Sequence, residues 1–355
     1  MRYLKILIAV FLLVGCEEYF RPEIDDMEPA YVFDGLLTDQ PGPYKVKILK
    51  ISGYDSEPEI VKGANVHIEC SDGKSYVLKM DTTDCYVTDS ALFVGEVGKS
   101  YKLVAHTVDN KRFESTQMEM LPCPDIEDVN GMYYEKKKIL TNGDTYYNEL
   151  ENGICATNTT AAAGFTPYYR YECKVIMQTH QFYSQNGITA DRYIYRPLES
   201  TGNLFIADAN NYADGKITNN QLFRTTNKIL LMKIDSLVPG VDSCTMRNCG
   251  IFVRVRQLSI DEKQYEFWKA VQDQQGSANN FFGQIENQPI GNMSCKTGEK
   301  TFGYFCVSAV KQGLGAFSLK YSDNTVRKYE IDYFPDTDTM AIYEKPKIYT
   351  KFFEN

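Results

Sequence analysis

The stretch Ala64-Asn-Val-His-Ile-Glu-Cys70, followed by Ser71-Asp-Gly73 and by Ser75-Tyr-Val-Leu-Lys79, decides the fold class. Apolar and polar side chains alternate with period two on both sides of Asp72-Gly73, the pattern of two half-buried strands joined by a tight turn. Working outward, Tyr31-Val-Phe-Asp-Gly-Leu-Leu37 and Tyr44-Lys-Val-Lys-Ile-Leu-Lys50 read as two more strands. The turn cluster Thr38-Asp-Gln-Pro-Gly-Pro43 separates them. Ala91 to Val94, Ser100 to Val108 and Arg112 to Met118 continue the rhythm. Some seven short strands over about ninety residues match a small sandwich of immunoglobulin-like size, although the Cys and Trp landmarks of antibody domains are missing. Leu121-Pro-Cys-Pro-Asp125 reads as a boundary, because two prolines flanking one residue cannot sit inside a ladder.

Beyond that boundary the chain is longer and less regular. Tyr168 to Met177 and Cys249 to Leu258 alternate as strands, with loops rich in Asn, Thr and Gly between them. Ser259-Ile-Asp-Glu262 has the form of a capping box, and Tyr265, Trp268 and Val271 then recur every three residues until Gly276. This places the single Trp on a helix face directed at a core, a packing role that outweighs ligand stacking. The expected fold is mainly β: an immunoglobulin-like β-sandwich over residues 31–121, then a larger β-rich domain over 126–355 with one capped helix.

The N-terminus carries an address. Arg2 and Lys5 form a positive region, and Ile6 to Val14 form an apolar run far short of the ~20 residues a spanning helix needs. Leu13-Val-Gly-Cys16 has the form of a lipobox, so residues 1–15 read as a lipoprotein signal peptide and Cys16 as the acylated first residue of the mature chain. An ordinary secretory signal or an anchor helix is the competing reading. Residues 16–30 read as a tether, acidic at Glu17, Glu18, Glu23, Asp25, Asp26 and Glu28, reaching at most about 45 Å when extended.

Deleting Arg2 and Lys5 with the signal takes the formal net charge from −9 to −11, which argues against nucleic acid as a partner. Of ten cysteines, nine remain after Cys16 is acylated, so at least one is unpaired in an oxidising compartment. Cys244 with Cys249 is the best local bridge if the backbone turns between them; Cys70 with Cys85 and Cys295 with Cys306 are hairpin-spanning alternatives. Buried free thiols, packing as small hydrophobes, compete with each pairing. There is no Cys-x-x-Cys pair and only three histidines, so no metal and no cofactor is expected.

The ordered series Val32 to Tyr44, Gly63-Ala-Asn-Val66, Val97 to Leu103, Tyr168-Tyr-Arg170, Ser259 to Trp268, Pro289-Ile-Gly-Asn292 and Phe302-Gly-Tyr-Phe305 resembles the Bacteroidota lipoproteins grouped as domain-of-unknown-function family 4249. The resemblance covers nearly the whole mature chain, but the cysteine-rich, aromatic-ending motif near the C-terminus of that pattern is missing. It implies an accessory role beside a TonB-dependent outer-membrane transporter, with the chain held on the outer membrane by its N-terminal lipid. The acidic pair after Cys16 resembles the export signal for the outer face, although acidic tethers also occur on periplasmic lipoproteins.

No His-Glu-x-x-His, Gly-x-Ser-x-Gly, phosphate-cradling loop or dinucleotide fingerprint is present. His67 and His106 fall within strands, and His180 falls beside a loop. Asp208 to Gly215 and Asp336-Thr-Asp338 invite a calcium reading, but neither fits the twelve-residue loop, and solvated turns are preferred. Tyrosine combines a flat apolar surface with a hydroxyl, so aromatics in loop-like context are the ligand-binding candidates: Tyr146, Tyr147, Phe182, Tyr183, Tyr212, Phe281 and Phe282. The expected activity is binding rather than catalysis, either as a transporter accessory in nutrient capture or as a free-standing glycan- or peptide-binding surface protein. A hydrolase with an unrecognised site is the third and weakest reading.

Overall fold

The computed structural model describes residues 28–53, 56–89, 93–139, 146–159, 168–185, 188–198, 205–207, 212–213, 216–219, 225–226, 243–277, 289–320, 325–329, 331 and 333–343. The expected signal, Cys16 and most of the tether lie outside these residues, as do Phe281 and Phe282. The chain is mainly β, with one helix of any length among the described residues. None of its described helices is long and apolar enough to cross a membrane.

The first part carries β1 (Ala30–Thr38), β2 (Lys45–Ile51), β3 (Glu59–Ile60), β4 (Asn65–Cys70) and β5 (Ser75–Met80). It continues with β6 (Tyr86–Val87), β7 (Ser100–His106), β8 (Arg112–Ser115) and β9 (Met118–Glu119). The second part opens with β10 (Ile126–Ile139), β11 (Tyr146–Thr159), β12 (Tyr168–Gln185), β13 (Ile188–Leu198) and β14 (Phe205–Ala207). Next come β15 (Tyr212–Ala213), β16 (Lys216–Asn219), β17 (Thr225–Thr226), β18 (Ser243–Ile260) and the helix α1 (Glu262–Ser277). The described residues then give β19 (Met293–Cys295), β20 (Lys300–Ser308), β21 (Val310–Lys320), β22 (Thr325–Tyr329) and β23 (Ala341–Tyr343).

The hairpin that decided the fold class forms as its pattern demands. Gly73 takes φ +84° at the turn, where Asp72 accepts the Lys74 amide at 3.1 Å, and Val66 and Ile68 face inward while Asn65 and His67 do not. β5 then changes sheets: Ser75 to Leu78 pair with β4, whereas Lys79 and Met80 pair with β6. A strand that bends between two layers makes a corner, and the sheet folds over itself into a sandwich. Of the expected strand at Ala91 to Val94, residues 91–92 are outside the description; Phe93 and Val94 are off the ladders, the buried Phe93 ring stacked on Tyr76 at 3.7 Å.

The sandwich is not confined to residues 31–121. Its strand order is β19-β8-β7-β4-β5-β6-β2-β1-β20, so both ends are supplied from beyond α1. β20 lies parallel to β1 over nine register pairs, from Ala30 with Lys300 to Thr38 with Ser308. Close approach at Gly303 makes this pairing depend on a missing side chain: φ is +84°, and a Cβ there would sit 1.9 Å from the Phe33 carbonyl oxygen. Asn292 closes the other side, its amide bonding both the carbonyl and the N–H of Phe305 at 2.9 Å while its own carbonyl accepts the Thr116 amide at 2.8 Å.

Among the described residues, two further sheets follow. One has the order β22-β21-β18-β12-β13-β23 with β14 beside β12, and the other is built on the β10–β11 hairpin. Gly313 and Gly315 on β21 let the sheets meet closely, since a Cβ at either would press to 2.7–3.0 Å against Ile126, Val129 or the Phe317 ring. The junction with the sandwich is a polar knot. Ser259 donates to the Leu121 carbonyl at 2.6 Å and accepts the Ala309 amide at 3.2 Å, Gln257 donates to the Pro124 carbonyl, and Asp39 accepts the Val310 amide. Ser259 is therefore a strand residue rather than a helix cap. The cap is Asp261, whose carboxylate accepts the Gln264 amide at 2.7 Å, an arrangement worth about 1 kcal/mol. One apolar core runs from Tyr31, Phe33, Leu103 and Phe305 through Phe267 on α1 to Tyr169 and Val253 of the second part.

Residues 28–124 expressed alone keep β2 beside β1 but lack β20, its parallel partner. They should show no cooperative thermal transition by circular dichroism, whereas residues 28–355 melt sharply; a sharp melt of the short fragment would contradict this topology.

Candidate functional site

The aromatic candidates fall in ladders, not loops. Tyr146 and Tyr147 open β11 opposite Ile139 and Lys138, and Tyr212 pairs with Ile217 in β15–β16. Phe182 and Tyr183 extend β12, with Asp191 and Ala190 of β13 on one side and Thr245 and Cys244 of β18 on the other. Aromatic and β-branched residues carry these strands well past the polar positions that read as loop boundaries. The candidates are split between two sheets, so the fold does not gather them into one described place.

The expected bridges fail on distance. Cys244 and Cys249 both lie in β18, and five steps of extended chain, even with the register shift at Met246 and Asn248, greatly exceed the ~4.4–6.8 Å Cα separation of a disulfide. Cys70 and Cys85 are free thiols at opposite ends of β5, roughly 17 Å apart by strand rise. Cys295 and Cys306 are free as well; they lie in opposite directions from the point where Asn292 meets Phe305. Cys306 is buried, and burial pushes its thiol up to about 12, against the opposing influence of the Arg170 charge.

Histidine and carboxylate positions are equally specific. His67 and His106 stack across β4 and β7 with ring centroids 6.3 Å apart, and His67 Nε2 lies 3.4 Å from Glu69. His180 is inside β12, buried, and stacked on Tyr193 at 4.7 Å, so it does not border a loop. Asp336 and Asp338 are ion-paired to the sheet, not open turn ligands, and the described residues hold no group of three or more side chains able to hold a metal ion. Trp268 packs against Phe267 edge to face and lies 4.2 Å under the Arg170 guanidinium, in the packing role expected of it.

The structure does gather a different set of aromatics. Strand alternation places Ile176, Gln178 and His180 of β12 on one face with Phe252 of β18 and with Tyr193 and Tyr195 of β13. This is the face turned away from the main core, and it builds a second cluster from Ile176, Tyr195, Phe252, Ala316 and Phe334, with Tyr193, Tyr329 and Tyr343 packed against it. Tyr343 meets Tyr195 edge to face at 5.5 Å. Gln178 is wholly buried here; its amide donates to the Tyr195 hydroxyl at 2.6 Å, and its carbonyl oxygen has no partner. A buried acceptor left unpaired costs about 1–3 kcal/mol, which marks this face as one whose polar capacity exceeds what the chain itself uses.

Residues 333–340 cross this face as a strap. Phe334 inserts into the cluster under the Arg254 guanidinium, which lies 4.8 Å from its ring centroid. Asp336 bonds Lys174 and, at 2.6 Å, Arg254; Asp338 bonds Lys174 at 2.6 Å. Beyond them Glu172 joins Arg256 at 2.6 Å and Arg170 at 3.0 Å. Burial works against the Lys174 charge, but its two carboxylate partners outweigh burial and hold it above the ordinary lysine value. Burial likewise raises the Asp336 carboxyl, and Lys174 and Arg254 overcome it to leave a net lowering. In chemical terms the face offers flat aromatic surface, a buried amide acceptor and a row of cations.

Sequence reading missed this set because Tyr193-Ile-Tyr195 and Phe334 were not assigned to elements. The period-two spacing of the two tyrosines, continuing the alternation of β12, is the signal that locates them.

These features define a mainly β protein in which a sandwich completed from both halves of the chain carries a strapped aromatic sheet face. The family model described as domain of unknown function DUF4249 matches residues 17–313, and the chain belongs to that family. No curated protein and no solved structure matches it. The β12, β13 and β18 residues of the aromatic face lie within the matched span, and Ala316, Tyr329 and the strap lie beyond it.

Lys174, Arg254 and Asp336 are 26%, 23% and 49% exposed, so solvent screens their pairing and its loss costs about 1 kcal/mol. Asp336→Asn should accordingly speed amide exchange across 333–340 about fivefold, read by mass spectrometry against an unchanged β12. The lowered carboxyl sets a pH dependence. Its contribution is complete above the ordinary value of 3.8 and is lost as pH falls through the lower folded value. Strap exchange corrected for intrinsic rates should therefore stay level from pH 7 to pH 5 and rise only below about pH 4.

Proposed function

We propose that the protein is a lipid-anchored, non-catalytic binding protein of the outer membrane, facing the cell exterior, which works beside a TonB-dependent transporter in nutrient capture. The signal-like residues 1–15 with Cys16, and the acidic residues after it, support the anchoring. Several acyl chains on one residue give durable attachment, since each buried methylene contributes about 0.8 kcal/mol. The observation that carries the binding half of the reading is the outer sheet face, where Tyr193, Tyr195, Phe252 and Phe334 cluster around a buried amide with an unspent acceptor. Aromatic surface with a few placed polar groups is the usual composition of a recognition site. Cations at Lys174 and Arg254 add a preference for acidic groups.

The same face supports a second reading, a free-standing glycan- or peptide-binding surface protein, because a complete recognition surface needs no barrel beside it. Mild detergent extraction of cells carrying the gene in its native neighbourhood separates the two. The accessory reading expects a large barrel to co-purify with the full chain, and Cys16→Ser to release the protein from the membrane fraction. Isolation of the chain alone, with a barrel expressed in the same cells, would overturn that reading in favour of the free-standing one.

A further inference from the structure

We propose that the outer face of the β12–β13–β18 sheet is a receptor for an extended acidic and aromatic peptide, and that residues 333–343 of this chain are its resident, displaceable occupant. This deepens the binding reading above and rests on it.

The strap shows what chemistry the face accepts. Its sequence, Tyr333-Phe-Pro-Asp-Thr-Asp-Thr-Met-Ala-Ile-Tyr343, supplies the Phe334 and Tyr343 rings to the aromatic cluster, two carboxylates to Lys174 and Arg254, and a short run of backbone to the edge of β13. Each is a separate mode of recognition: an aromatic anchor, charge complementarity, and strand addition to a sheet edge. Backbone pairing favours a peptide over a glycan, because Tyr193, Ile194 and Tyr195 are met by the main chain of Tyr343, Ile342 and Ala341. A sugar has no such ladder to offer, and a neutral one leaves both cations without counter-charge.

The strap also holds weakly for an internal element. Its ion pairs are partly solvated, and Gln178 keeps an acceptor that the strap does not use. Its outward side mixes charge with apolar surface: the Asp338 side chain is 93% exposed, and Tyr333, Met340 and Ile342 are 48%, 42% and 45% exposed. An element folded permanently into a core would bury those residues; one that exchanges with a competitor need not.

The test uses the full mature chain and a fluorescent peptide of sequence YFPDTDTMAIY. The strap is loosened by combining Phe334→Ala, Asp336→Asn and Asp338→Asn. By anisotropy this variant should bind the peptide at least tenfold more tightly than the unmodified chain, and a peptide with both Asp changed to Asn should lose most of that affinity. A folded variant, judged by an unchanged far-ultraviolet spectrum, that binds neither peptide overturns the proposal, as does equal binding of the acidic and neutral peptides. Should the variant fail to fold, the unmodified chain decides. Excess acidic peptide should accelerate amide exchange across 333–343, and no acceleration at saturating peptide counts against displacement. Binding of a neutral oligosaccharide in place of the peptide would also overturn the proposal while leaving the binding reading intact. Transporter co-purification without peptide binding would refute this inference alone.

Discussion

The parallel pairing of β1 with β20 is the constraint on which the rest of the structure depends. It joins residues 30–38 to residues 300–308, and nearly everything between them is the crossover that a parallel pair requires. Phe33 and Phe305 are buried to within 1% of completely on this pair, each contributing roughly 1.5–3 kcal/mol of apolar burial. Two glycines make the approach feasible. Gly303 lies against the Phe33 backbone, and Gly35 leaves the 3.0 Å of clearance that the Val46 side chain fills. A side chain at either point would push the strands apart where the core is tightest.

Because the pairing brings the far end of the chain back to the sandwich, the second part is held to it by more than a linker. Ser308 ends β20 and Val310 begins β21, so one backbone passes directly from the sandwich into the sheet that bears the aromatic face. The bonds of Ser259, Gln257 and Asp39 fix that passage. Gly313 and Gly315 then seat the β10 side chains against one side of β21. With that side committed to the core, alternation leaves Ile176, Gln178, Phe252 and Tyr195 to the opposite side, where the strap meets them.

Local pattern made the sandwich strands legible because each hairpin is contiguous in sequence and half-buried, as Val66, Ile68 and Leu78 around Gly73 illustrate. The parallel partner of β1 was not legible, since nothing in period-two alternation says which distant strand lies alongside. One hint is present: Phe302-Gly-Tyr-Phe305, Pro289 to Asn292 and the segment beginning at Val32 are separate motifs in the sequence, and they converge at one crossing. The long strands β12 and β18 ran past their expected ends because Thr, His, Gln and Asn interrupt the apolar pattern without breaking the ladder. The same interruption misplaced the site. Phe182 and Tyr183 looked like loop residues, while Tyr193 and Tyr195, lying in an unassigned stretch, form the cluster. The bridges were misjudged for a related reason, because spacing along the chain says nothing about whether the backbone turns back or runs straight, and at Cys244 to Cys249 it runs straight.

Closure by β20 gives this account its order: pairing completes the sandwich, the sandwich anchors the long sheet, and the long sheet presents the strapped face. Native-state amide exchange measured residue by residue tests that order most directly. Protected amides of residues 31–37 and 301–307 should exchange together, at the slowest rates in the molecule and with one shared free energy of opening. Residues 301–307 opening markedly earlier than 31–37 would mean that the sandwich stands without β20, and the account would be wrong at its centre.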